Sequence, residues 1–263
     1  MERRSKKYLF IFLIYFKTGF IETILSTLKY PSNSVKLSTA WCLRCLCVTL
    51  PILMSPILEI CMNRLSNAKA SPDTIISYAF ASTSLLGGVH LCTLGIPHLK
   101  IKLLFNIGEE LLCTASQNLR TCLQKICAGW MLLGSFMTLG SCMIKKYLQR
   151  MIVLWKNTMP RNIKEFEIEK KRNDATTWHI SLESRSGALA SMNSFLMYSS
   201  EIFNSDETVR KRMLNVIEGA ILVLSQLTQI TKINEAFLRE SANMFRYRLF
   251  QTLLNLPLHF YEG

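Results

Sequence analysis

Between Asp73 and Lys100 the chain has no Asp, Glu, Lys or Arg: the 26 residues TIISYAFASTSLLGGVHLCTLGIPHL, Thr74 to Leu99, carry no formal charge. A soluble helix seldom stays uncharged for seven turns, because one of its faces meets water. As a helix this run would measure roughly 39 Å, more than the ~30 Å hydrocarbon core of a bilayer. A membrane span is therefore expected, with a wholly buried soluble helix as the alternative. Glycine (11) and proline (7) are also scarce, which argues against a β-sandwich and against a long disordered linker. No Asn-x-Ser/Thr acceptor occurs, so nothing points to a glycosylated ectodomain. All nine cysteines fall between Cys42 and Cys142, inside apolar segments. Their odd number does not suit a secreted disulfide framework, and they read as small apolar packing groups. GxSxG, HExxH, GxGxxG and calcium-loop patterns are all missing, so neither an enzyme nor a cofactor or metal site is expected.

What is present is apolar and basic. Hydrophobic residues make up 49% of the 263 positions, mean hydropathy is +0.21 and net charge is +13. The apolar runs are long rather than alternating, so the expected fold class is all-α, a multi-pass helical membrane protein with amphipathic and charged cytoplasm-facing helices. Four spans are expected, at about Tyr8 to Leu28, Ser38 to Met62, Thr74 to Leu99 and Ile126 to Ile144. The first follows the basic MERRSKK and is either an uncleaved span or an interfacial helix. The second contains Pro51 and Pro56, which a membrane helix tolerates better than a soluble one. Between the last two spans, Leu104, Leu111, Ala115, Leu119, Cys122 and Ile126 recur at helical spacing as an amphipathic helix.

From Lys145 to Arg172 nine basic residues stand against three acidic ones, a net +6. Beside a span, such a cluster stays on the cytoplasmic side, or the matrix side in a mitochondrial protein, and explains the charge better than nucleic-acid binding does. Residues 1–144 therefore read as the membrane domain and 145–263 as a basic, mainly helical cytoplasm-facing region. Met213 to Ile230 contains Asn215, Glu218, Gln226 and Gln229. It is a further polar span or a soluble amphipathic helix, the second being preferred. Met244 to Leu256 closes the chain as an amphipathic stretch with Phe245, Leu249, Leu253 and Leu256 on its apolar side.

Few residues are candidates for function. His90 lies in the uncharged run, where an ionisable side chain suggests a relay or ligand contact; His98, eight residues on, would share its helix face. Ala79, Thr83 and Gly87 are spaced by four, a small-residue stripe that lets a neighbouring helix approach. Cys42, Cys45 and Cys47 form CxxCxC, which lacks nearby further ligands and reads as packing. Gly129 and Gly134 mimic a phosphate loop without its lysine.

Two stretches, Leu50 to Ala68 and Phe166 to Phe195, resemble the transmembrane domain of ABC exporters, in particular mitochondrial-type half transporters. The first is similar to the proline-containing opening span and its polar loop. The second, with its basic start, Asn173-Asp174 and Glu183-Ser184, is similar to the long intracellular loop after the fourth span. Phe245 to Tyr261 resembles the amphipathic lead-in to the first intracellular loop, although here it follows the Phe166 region. No nucleotide-binding domain accompanies them. The resemblance implies a permease-like subunit without its own ATPase, served by a separate nucleotide-binding subunit or working as a homo-oligomer. The expected function is thus a transporter-like integral membrane protein of an endomembrane or mitochondrial-type membrane; a non-transporting membrane scaffold or adaptor and a small receptor are the alternatives.

Overall fold

The expected second span breaks where its first proline demands it. A computed structural model describes residues 19–67 and 71–257, and among these every regular element is a helix. Of the expected first span, residues 19–27 are helical (α1) and Leu28 follows in a turn; residues 8–18 lie outside the described residues. The run Ser38 to Met62 is divided into α2 (Asn33–Thr49), a single 3-10 turn (Pro51–Leu53) and α3 (Met54–Leu65). Leu50 sits at φ −125°, ψ 76°, outside the helical region that a following proline disfavours by steric clash. Pro56 does no such damage. It falls in the first turn of α3, where its missing N–H would have had no helical partner.

The uncharged run is not one helix either. α4 (Pro72–Gly88) starts at Ser71, whose hydroxyl accepts from the Thr74 N–H, and continues only as a 3-10 turn, Val89–Leu91. The chain then leaves helical geometry at Cys92 and passes through Gly95 at φ +63°, a conformation that glycine adopts without strain. Pro97 caps the next helix, α5 (His98–Thr114). Thr74 to Leu99 is thus a helix of ordinary length followed by a turn and a loop, punctuated by its own Gly and Pro.

The amphipathic helix expected over Lys100 to Lys125 stops early in the same way. A 3-10 turn (Ala115–Gln117) separates α5 from α6 (Leu119–Phe136), which begins at Asn118 and ends in a further turn and Gly140, at φ +90°. The helical part of Ile126 to Ile144 therefore lies earlier than the apolar run does. The remaining elements are α7 (Ser141–Ile144), α8 (Leu148–Thr158), α9 (Ile163–Arg172), α10 (Ala175–Ser205), α11 (Glu207–Thr231) and α12 (Glu235–Leu254).

By its internal contacts the chain divides into two units, Met1–Ile96 and Pro97–Gly263. In the first, α4 packs against both α2 and α3. Lys36 of α2, 1% exposed, reaches Asp73 in the first turn of α4 at 2.7 Å, where the helix dipole also favours the carboxylate. In the second, α10 is the axis, with α6, α8, α11 and α12 all packed on it. The pairs His179–Ser241, Leu189–Thr252 and Asn193–Asn255 set α12 parallel to α10.

Among the described residues three helical stretches are long and apolar enough to cross a membrane: Pro72–Leu91, Leu119–Leu139 and Glu207–Thr231. Their surroundings differ. α6 is covered by α5 and α10, and α11 turns Glu207, Lys211, Asn215, Glu218, Ser225 and Gln229 outward while burying Val216, Ala220, Val223 and Leu227. In the first unit the outward side of α2 is Asn33, Ser34, Leu37, Ser38, Trp41, Cys42, Cys45 and Thr49, with no formal charge.

Candidate functional site at the centre of the second unit

The residues singled out in the sequence are not brought together. His90 is exposed on the 3-10 turn after α4, and His98 is exposed at the first position of α5, with non-helical chain between them. A shared helix face is therefore not available to the two histidines. Ala79 is fully buried, Thr83 is half-buried, and its shielded Oγ1 has no hydrogen-bond partner among the described residues. A Cβ added at Gly87 would meet only Arg44 Nη1, at 4.0 Å, whereas at Gly88 it would lie 3.0 Å from Arg44 Cγ. The close approach of α2 to α4 is thus made by the Arg44 side chain across Gly88, its guanidinium 4.7 Å from the Trp41 ring centre. Cys42 and Cys45 are exposed and Cys47 is buried, so the CxxCxC thiols do not face one point. Among the described residues no group of three His, Cys, Asp or Glu is placed to hold a metal ion.

Gly129 and Gly134 serve helix packing. A Cβ on Gly129 would stand 2.8 Å from Leu112 and 3.0 Å from the Gly108 carbonyl oxygen, where α5 crosses α6; Gly134 faces the backbone of Ser191. Across the α6–α10 contact, a Cβ on Gly187 would lie 2.6 Å from the Trp130 side chain.

The polar centre that the sequence did not announce lies where α8, α9 and α10 meet. Arg185, on the third turn of α10, is 4% exposed. Its Nε donates to the Thr158 carbonyl at the end of α8, at 3.0 Å, and its Nη2 donates to Glu169 of α9 at 2.6 Å. Glu169 also accepts from Ser181 at 3.0 Å and Asn173 at 3.2 Å. Two helices are thereby tied to α10 through one guanidinium, which also complements the negative end of the α8 dipole. Phe166 and Trp178, both fully buried with ring centres 5.8 Å apart, close the same junction with apolar surface. Arg185 Nη1 and the Trp178 indole N–H have no acceptor among the described residues. Glu183-Ser184, the acid–Ser pair of the exporter resemblance, lies on the next turn, with Ser184 accepting from the Trp130 indole at 3.2 Å.

Asp174 caps α10: its carboxylate accepts from the Thr177 N–H and hydroxyl, both at 2.7 Å. The backbone hydrogen bond comes first among the causes that hold its carboxyl below the ordinary aspartate value. Nothing in this centre pairs a nucleophile with a base within reach of substrate. His179 meets Ser241 at 2.7 Å, but that serine is fully buried and the contact is an interhelical hydrogen bond. The chemistry available is that of an ionic clamp.

No protein-family model matches the chain, and no solved structure matches it.

Proposed function

We propose that the protein is a multi-pass α-helical membrane protein that works by binding, a membrane-anchored adaptor. Its first unit sits in lipid and its charged second unit engages an acidic partner on the cytoplasmic side. The observation that carries this reading is an uncharged outward side on α2 together with a basic cluster around the clamp of the second unit. α2 offers lipid an uncharged side, with Leu37 and Trp41 more than half exposed and Ile52 beside them, roughly 350 Å² or on the order of 9 kcal/mol of apolar transfer. The second unit presents Lys156, Arg161, Lys164, Lys171 and Arg172 around its ionic clamp, with exposed Ile163 and Ile168 among them. α11 belongs with it as a soluble helix, because its polar residues face outward, the wrong way for a span.

The core around α10 is filled by Trp155, Trp178, Phe195 and Phe203, with the Trp155 indole satisfied by Ser191 at 2.7 Å. A filled core speaks for an adaptor over the transporter-like subunit that the exporter resemblance implies, which needs a polar pathway. A receptor is the second reading. It is favoured by α10 itself, which runs without interruption from the clamp to a kink at Ser199 and so links α8, α9 and α12 mechanically.

Alkaline carbonate extraction of membranes carrying the full chain tests anchorage, and reconstitution into dye-loaded vesicles tests transport. The adaptor reading expects retention in the pellet and no flux above empty vesicles. Release into the supernatant, or solute flux through the purified chain, would overturn it.

A further inference from the structure

The outward side of α12 is rich in large apolar groups: Phe237 (45% exposed, its ring centre 5.0 Å from that of His179), Met244 (40%), Tyr247 (55%), Phe250 (52%) and Leu254 (82%). Its inward side, with Leu238, Ala242, Phe245, Leu249 and Thr252, is used up against α10. Along the outward side the positions Phe237, Glu240, Met244, Tyr247, Gln251 and Leu254 alternate by three and four, the seam spacing of a paired helix. Read in either direction the seam has the same character: apolar, polar, apolar, apolar, polar, apolar.

We infer that this seam pairs with a second copy of itself, antiparallel about a two-fold axis between Met244 and Tyr247. In that register Phe237 meets Leu254 of the second copy, Met244 meets Tyr247, and Glu240 meets Gln251. The polar pair is complementary. A carboxylate, which only accepts, faces an amide that donates, with Arg248 already hydrogen-bonded to Gln251 at 3.0 Å and ready to add its charge. The surface is shaped for such pairing. An open groove of ≈ 510 Å³ is lined by Ala236, Arg239, Glu240, Asn243, Met244 and Tyr247, which is two overlapping sets at i, i+3, i+4, i+7. Four residues in that arrangement form the hole that receives one side chain of a facing helix. The axis places the second copy's Tyr247 over the hole Glu240, Asn243, Met244, Tyr247. Covering the four apolar seam residues and Phe250 beside them removes about 500 Å² per copy, about 1,000 Å² in all, the lower bound for a specific interface and the size of a weak, reversible one. Self-pairing is symmetric and closes on itself, so it yields dimers and not filaments.

Single-cysteine variants of the full chain, made in a background without native thiols and held in lipid nanodiscs or detergent, test this with a short bismaleimide. About the two-fold axis, Met244→Cys lies roughly 5 Å along the helix from its counterpart, whereas Phe237→Cys lies roughly 26 Å from its own. Met244→Cys should cross-link to itself at least tenfold more than Phe237→Cys or the α11 control Ser225→Cys. Adding Tyr247→Glu should lower that yield at least tenfold with the far-ultraviolet helical signal unchanged. Strong self-cross-linking of Phe237→Cys would mean a parallel pair and overturn the proposal. A monomer at every concentration, or adducts only with other proteins, would overturn it equally.

Discussion

Replacing Glu169 with Leu should destabilise the second unit more than replacing Arg185 with Met, although the two residues form one ion pair. The reason lies in what each change leaves behind. Without Glu169, Arg185 stays 4% exposed with a charge balanced only by the Thr158 carbonyl. Without Arg185, Glu169 keeps Ser181 and Asn173 as donors and, at 23% exposure, some water. Breaking a buried pair by removing one partner costs about 3–5 kcal/mol, so Glu169→Leu belongs near the upper end and Arg185→Met near or below the lower. For a unit of this size each kcal/mol moves the melting temperature by about 2–4 °C, which puts Glu169→Leu, near ~5 kcal/mol, at a loss of about 10–20 °C. The double replacement Glu169→Leu with Arg185→Met removes both charges and keeps apolar bulk, and should melt within a few degrees of the parent. Thermal unfolding in detergent, followed by far-ultraviolet circular dichroism, reads all four proteins. Equal losses for the two single variants, or a double variant as unstable as the sum of the singles, would refute the clamp.

Gly219→Ala should cost about 1–3 kcal/mol, because the added Cβ would stand 2.6 Å from the Pro160 carbonyl oxygen, a backbone atom that cannot swing aside; Gly87→Ala, with only Arg44 Nη1 at 4.0 Å, should melt like the parent. Asp174→Ala should be less stable than the parent at pH 7. The Asp174 carboxyl is held below its unfolded value, so its stabilisation is present above that value and is lost as pH falls through the lower folded one. The two melting curves should therefore converge below about pH 4 and not above it.

The all-helical character was legible from long apolar runs without alternation, and the amphipathic closing stretch was legible from Phe245 and Leu249, which do face α10. Helix ends were written locally. Leu50 before Pro51, Gly95 before Pro97, and the caps Asn118, Asn162, Asp174, Asp206 and Asn234 mark breaks or starts by their own chemistry. Reading hydropathy in windows of span length overrides those marks, and so merges α2 with α3 and carries α4 past Gly88. The importance of α10 was hidden for a different reason. Its sequence is rich in Ser, which reads as polar and undecided, yet Ser184 and Ser191 each accept from a tryptophan indole, and its one glycine, Gly187, lies against Trp130. The clamp was out of reach because Glu169 is one of several charges in its run and Arg185 lies sixteen residues on in a Ser-rich stretch, and only the α9–α10 hairpin brings the two together.

The native cysteines give the most direct test of the proposed division between a lipid-facing first unit and a water-facing second one. Cys42 and Cys45 on α2 are as exposed to the surroundings as Cys113 on α5 and Cys142 on α7. Each is kept as the single thiol of the full chain, in intact vesicles opened enough for a water-soluble maleimide to reach both sides. Cys113 and Cys142 should label at once, while Cys42 and Cys45 should label only after detergent is added. Rapid labelling of Cys42 and Cys45 in the intact bilayer, or protection of Cys142 alongside them, would contradict the account.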